Sequence, residues 1–207
     1  MNRLMTGIVV FDDVEVLDFC GPFEVFSVTR LSEENRRESL SPFDVRIVAE
    51  SLEPVRATGG LRVLPDESFA SCPPLDLLVV PGGWGTRPIY RDDGPVIDFI
   101  RSRAGEVATL TSVCTGAMLL GRAGLLEGRR ATTHWCALDW MADELRATTV
   151  VRDEHVVAEG ALLTSAGISA GIEMSLQVVE RCFGAEVAVN TARQMEYRWP
   201  TDNVRRV

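Results

Sequence analysis

The 207-residue chain contains no lysine, and all 21 of its basic side chains are arginine. Schiff-base catalysis and a lysine clamp on phosphate are therefore excluded. Histidine is almost as scarce, with His134 and His155 the only two, so few residues can offer imidazole proton transfer. Five cysteines are scattered at positions 20, 72, 114, 136 and 182, and no two have C-x-x-C spacing. That speaks against a zinc knuckle and a thioredoxin-type redox pair, and no metal or cofactor is expected. No stretch approaches the ~18 consecutive apolar residues that a membrane span requires. The apolar run near the amino terminus stops at Asp12 and Asp13, too early for a secretory signal. The expected setting is cytoplasmic and reducing. The balance of charge is also one-sided, 30 acids against 21 bases for a net −9. Such a surface repels phosphate backbones and anionic lipid, so neither nucleic acid nor membrane is expected as a partner.

What is present is ordinary globular material: 46% apolar and 25% charged residues. At this length a core forms without staples, and a single domain over residues 1–207 is expected. Short apolar runs at Thr6–Phe11, Phe43–Ala49, Leu75–Val80 and Val107–Val113 read as strands covered on both faces. Helical patterns fall at Phe23–Leu31, Val96–Arg103, Thr115–Ala123, Leu138–Leu145 and Ile172–Phe183. Pro22 suits a first helical turn and Gly184 a helix end. The polar stretch Leu31–Pro42 reads as a surface loop. Thr149–Ser165 reads as hairpin-like, with turns near Asp153–Glu154 and Glu159–Gly160. Alternation of this kind predicts an α/β sandwich, a mainly parallel sheet with helices on both faces.

Ligands of such sheets gather outside the carboxyl ends of the strands. Three unusual segments lie there: Asp12–Asp18, Pro81-Gly-Gly-Trp-Gly85 and Cys114-Thr-Gly116. Cys114 leaves a strand and enters a small-residue helix start, the geometry that pushes a nucleophile out of a sheet. A helix tip there would favour the thiolate. Gly82 and Gly83 would let backbone amides approach a developing negative charge, an oxyanion hole in outline. Asp18 is a lone acid among apolar residues, placed just before the first helix, where it either caps that helix or meets Cys114 as a proton donor or acceptor. His134 either orients and deprotonates the thiol or is a structural histidine. His155, in R-D-E-H, reads as a solvated hairpin residue. Glu173 is an acid at a helix start, explained by the helix dipole, with pocket lining left open. Trp84 and Trp135 are the bulky candidates for the pocket mouth.

Together D-F-C-G-P-F-E-V-F, V-V-P-G-G-W-G, S-V-C-T-G-A-M-L-L-G-R-A-G-L-L-E-G-R-R-A-T-T-H-W and T-S-A-G-I-S-A-G-I-E-M-S-L resemble the ThiJ/PfpI superfamily, in order from about Thr6 to Trp199. The resemblance implies a flavodoxin-like fold of the class I glutamine-amidotransferase type, usually homodimeric, with the elbow cysteine as its centre. Protease-like members carry histidine after that cysteine, whereas this chain has Thr115. The C-T-G-A block with D-x-x-G-P is most similar to the isonitrile hydratase branch and to sensor domains of AraC-type regulators. Carried across, Cys114 would be the nucleophile and Asp18 its acidic partner. Thr115, Gly82 and Gly83 would hold the polar group of a small-molecule substrate. The activity so implied is hydration of isonitriles to N-substituted formamides. Two alternatives are a ligand sensor, for which only Pro200–Val207 follow Trp199 in place of a DNA-binding part, and a redox-responsive thiol. Two departures stand out: Glu173 replaces the family's usual aspartate, and Cys20 lies beside the acid block, where packing is the favoured reading.

Overall fold

The apolar, β-branched runs build a central sheet, and the chain returns between them through helices. A computed structural model describes residues 2–34 and 36–205. In chain order its elements begin with β1 (Leu4–Val9), α1 (Val16–Val28), β2 (Phe43–Ala49), β3 (Val55–Arg56), β4 (Arg62–Val63) and β5 (Glu67–Ser68). They continue through β6 (Leu77–Val80), α2 (Thr86–Asp92), α3 (Pro95–Arg103), β7 (Thr109–Ser112), α4 (Gly116–Arg122) and β8 (Arg130–Ala131). The last are α5 (Leu138–Glu144), β9 (Thr149–Val150), β10 (Val156–Glu159), β11 (Leu162–Ser165), α6 (Ala170–Phe183) and α7 (Ala185–Gln194).

Seven strands form one sheet in the order β10-β11-β7-β6-β1-β2-β5. Every pairing is parallel except β10 with β11. Parallel strands need helical crossovers, which cover both faces and explain why Ile8, Val9, Leu78, Val79 and Val80 are inaccessible to solvent. Helices α1, α6 and α7 pack together on one face, and α2, α3 and α4 on the other. The fold is the flavodoxin-like α/β sandwich. Among the described residues no helix is long and apolar enough to cross a membrane.

The central strands β1, β6 and β7 are neighbours, and their carboxyl ends release the three loops singled out above. These loops are stitched to each other rather than to solvent. The Glu15 amide donates to the Gly82 carbonyl at 2.9 Å, Val14 and Gly83 form an antiparallel bridge, and the Val113 amide donates to the Val80 carbonyl at 3.0 Å.

Several local expectations change. Helix α1 begins at Val16, well before Phe23, so Pro22 lies in its interior and not in its first turn. There it removes the helical hydrogen bond to the Asp18 carbonyl. Thr149–Ser165 is not one hairpin: β10 and β11 pair around Gly160, whereas β9 runs parallel to β8. Helices α2 and α7 had no counterpart in the sequence reading. Gly184 does end α6, at φ 91°.

Gly116 opens α4 against the end of β6, where an added Cβ would sit 2.0 Å from the Val80 carbonyl oxygen. Gly116→Ala therefore overpacks backbone against backbone and should cost about 1–3 kcal/mol, lowering the melting temperature by several degrees. Gly105→Ala, where nothing lies within 4 Å of an added Cβ, is the control and should leave it almost unchanged. Equal melting temperatures for the two variants would contradict this packing.

Candidate functional site

Cys114 follows β7 by two residues and holds φ at 57°. A non-glycine residue there stores strain of order 1–3 kcal/mol, which persists only if its surroundings fix it. They do. The Cys114 amide donates to the Ala166 carbonyl at 3.0 Å, and its carbonyl accepts from Thr133 Oγ1 at 2.8 Å. The residue as a whole is 6% exposed, so the elbow is largely shielded from solvent.

Asp18 is the third residue of α1 and not a cap before it; the cap position is Glu15, whose side chain makes no capping bond. Its carboxyl is wholly buried. Oδ2 accepts from the Gly82 amide at 3.0 Å, and Oδ1 is buried with no partner of good hydrogen-bond geometry. The Cys114 thiol and the Ile168 amide are its other polar neighbours. Burial, reinforced by the charge of Glu15 and opposed by the Gly82 amide, pushes the Asp18 carboxyl up to about 7. An oxygen without a donor is the natural place for that retained proton.

The same burial, and then the Asp18 charge, push the Cys114 thiol up, while the Thr115 amide and hydroxyl pull it down. A free-standing thiolate at the helix tip is therefore not what the site holds. Desolvation outweighs the dipole of a seven-residue helix. Carboxyl and thiol instead form one coupled unit with a proton to exchange.

The two glycines also differ from expectation. Neither amide points at an empty oxyanion position: Gly82 N–H holds Asp18, and Gly83 N–H donates to Thr115 Oγ1 at 3.0 Å. Their lack of side chains is still required. A Cβ on Gly82 would lie 2.5 Å from Thr115 N and 3.0 Å from Cys114 Cβ. Thr115 Oγ1 also lies 3.0 Å from Thr86 Oγ1, which fixes its rotamer.

His134 does not meet the thiol of Cys114. Its Nδ1 accepts from the Cys136 amide at 3.3 Å and lies 3.0 Å from Cys136 Sγ, and its ring packs on Gly167, where a Cβ would be 1.9 Å from Cδ2. His155 is not a solvated turn residue: its Nδ1 lies 2.7 Å from Glu173 Oε2. Tyr197 Oη donates to the other oxygen of Glu173 at 3.1 Å. Glu173 thus belongs to a separate cluster under the segment after α7, where it lines a cleft of about 370 Å³ with Trp199. Trp84 is 65% exposed, with Arg87 stacked 4.9 Å above its ring. It lines a 580 Å³ cleft with Phe11, Asp12, Pro88 and Ile89, beside the elbow loop but without Cys114. Trp135 is exposed next to His134. Cys20 is half-buried, free, and packed against the core. Among the described residues no group of three or more His, Cys, Asp or Glu side chains could hold a metal ion.

Ile168 escaped the sequence reading. It is a β-branched residue at φ 56°, and its amide is turned to Asp18. Any residue type except proline can supply an amide N–H, so only the backbone angle reveals it.

Residues 6–181 match the DJ-1/PfpI family. The chain belongs to that family. It is 39% identical over 194 residues to isonitrile hydratase of Pseudomonas putida, covering 94% of this chain and 78% of that one. It is 31% identical over 141 residues to the HTH-type transcriptional regulator CdhR of Pseudomonas aeruginosa, covering 68% of this chain but 41% of the regulator. Among solved structures, a ThiJ/PfpI family protein from Pseudomonas syringae superposes with a TM-score of 0.83 at 31% identity, over 98% of this chain and 79% of that one. Drosophila melanogaster DJ-1beta superposes with a TM-score of 0.77 at 23% identity, over 96% and 100% of the two chains, and shows the same fold.

A carboxyl whose folded value is about 7 against 3.8 when exposed makes folding prefer its neutral form. Its contribution to stability is complete below 3.8 and is lost as pH rises through about 7, a loss on the order of 4 kcal/mol. Asp18→Asn cannot titrate. Its melting temperature should therefore gain on the wild type between pH 4 and 7 and run parallel above. A difference independent of pH would contradict the raised carboxyl.

Proposed function

We propose that this protein is a cysteine-dependent hydro-lyase that converts isonitriles to N-substituted formamides, with Cys114 as nucleophile and Asp18 as its acid–base partner. The observation that carries the reading is the buried carboxyl–thiol pair on the strained elbow; the 39% identity to isonitrile hydratase supports the substrate class. Asp18, as carboxylate, takes the Cys114 proton as the sulfur attacks the terminal isonitrile carbon. The proton then passes from Asp18 to that carbon, giving a thioimidate, R–N=CH–S–Cys114. Water adds to the same carbon while the carboxylate removes its proton. Asp18 returns that proton to the nitrogen, and collapse of the adduct passes the hydroxyl proton to the departing sulfur. The thiol is restored, R–NH–CHO leaves, one water is consumed and no electrons are lost.

Thr115 takes the substrate-binding role through its amide and hydroxyl, both of which favour the charged sulfur. Gly82 and Gly83 serve it by holding Asp18 and Thr115. We take the working unit as a cytoplasmic homodimer of one-domain chains acting on a small molecule without metal or cofactor. Five unpaired cysteines support a reducing compartment.

The match to a transcriptional regulator supports a second reading, in which the pair binds a ligand without turnover. One experiment separates the two. Incubation with cyclohexyl isocyanide should yield N-cyclohexylformamide, with no turnover by Cys114→Ala and a loss of about 10²–10⁴-fold in Asp18→Asn. The wild-type kcat/KM should fall about tenfold per pH unit below about 7, as the carboxylate is lost. Formamide no higher than in the Cys114→Ala control would remove the enzyme and leave the sensor.

A further inference from the structure

Outside the Cys114–Asp18 pair lies a second sulfur with a base beside it. Cys136 is exposed, in the short turn that leads into α5. Its Sγ lies 3.0 Å from His134 Nδ1. The Cys136 amide donates to that same nitrogen at 3.3 Å, which makes Nδ1 the acceptor and leaves the ring proton on Nε2. With Nδ1 unprotonated, the Cys136 thiol at 3.0 Å is the donor of that pair, the arrangement a general base requires of its nucleophile.

The imidazole is held rigidly for this task. Its ring is wedged against the Gly167 backbone, so close that any Cβ there would collide with it. Partial burial, and then the charge of Arg205, lower its proton affinity, against a smaller opposing effect of Glu15. The ring is thus unprotonated near neutral pH and free to accept. The other exposed cysteine, Cys182 in the last turn of α6, makes no side-chain hydrogen bond among the described residues and is pushed up by burial. Cys72 and Cys114 are buried, and Cys20 is half-buried.

We propose that Cys136, activated by His134, is a reactive surface thiol that forms mixed disulfides with low-molecular-weight disulfides. The Cys136 sulfur attacks one sulfur of the disulfide, and the new S–S bond forms as the old one breaks. The thiol proton passes to His134 Nδ1 and from there to solvent. The departing half leaves as a thiolate, so the cysteine is oxidised and that half is reduced.

Native protein treated with limiting dithiobis(nitrobenzoic acid), followed by peptide mapping without reduction, locates the first modified thiol. The first equivalent should map to Cys136, with a rate constant at pH 7 at least about tenfold that of Cys182 in the same molecules. His134→Gln should lower the Cys136 rate about tenfold and leave Cys182 unchanged. A first equivalent on Cys182 or Cys114, or a Cys136 rate that His134→Gln does not move, would overturn the proposal. Should His134→Gln fail to fold, His134→Asn, whose Oδ1 can still accept from the Cys136 amide but cannot take the thiol proton, serves in its place and should give the same loss at Cys136 with Cys182 unchanged.

Discussion

The site depends on one proton held between two groups that each resist losing it. Asp18 is wholly buried and Cys114 nearly so. Two negative charges in that volume would have little solvent to spread into, so the pair carries at most one near neutrality. In the proposed reaction the thiol need not ionise alone: transfer of its proton to Asp18 would generate the nucleophile and the acid in one movement. A carboxyl raised to about 7 is matched to that exchange, since it neither holds the proton too tightly nor gives it up to water.

Much of the surrounding architecture keeps these groups from relaxing apart. The parallel strands β1, β6 and β7 bring three loops to one edge. Asp18 hangs from α1 by way of the first loop, and Gly82 of the second donates to it. The third loop supplies Cys114 at an unfavourable backbone angle, tied by Ala166 and Thr133. Ile168, strained in the same sense, adds an amide from the far side. Two strained residues facing one carboxyl indicate that stability has been exchanged for position.

How much of this was legible in the sequence differs by scale. The positions of β1, β2, β6 and β7, the mainly parallel sheet and the elbow position of Cys114 followed from apolar run lengths and from the loops those runs expose. Asp18 as the partner of Cys114 came instead from the resemblance to the ThiJ/PfpI superfamily, its own surroundings leaving a helix cap equally open. The start of α1 was not legible, because Asp18 and Pro22 both imitate helix-start signals at positions where packing against the sheet had already begun the helix. Helix α7 was missed because the residues it buries on one face, Ala188, Thr191 and Ala192, are few and small.

At the site the residue types were recognisable but their engagements were not. Gly82 and Gly83 are required for closeness, as expected, yet their amides serve Asp18 and Thr115 instead of a ligand. His134 turns to Cys136 two residues along in the same turn, and His155 meets Glu173 of α6; the residue types alone select neither partner. The sign of the thiol shift was also out of reach, since helix-tip stabilisation and desolvation oppose each other and only burial decides between them.

The central claim is that Asp18, beside Cys114, titrates near neutrality because it is buried away from solvent. Carbon-13 NMR of the Asp18 carboxyl carbon, followed from pH 3 to pH 9, measures this directly. The account predicts a single midpoint at about 7. A midpoint near the ordinary aspartate value of about 3.9 would show a solvated, freely ionised carboxylate and contradict it.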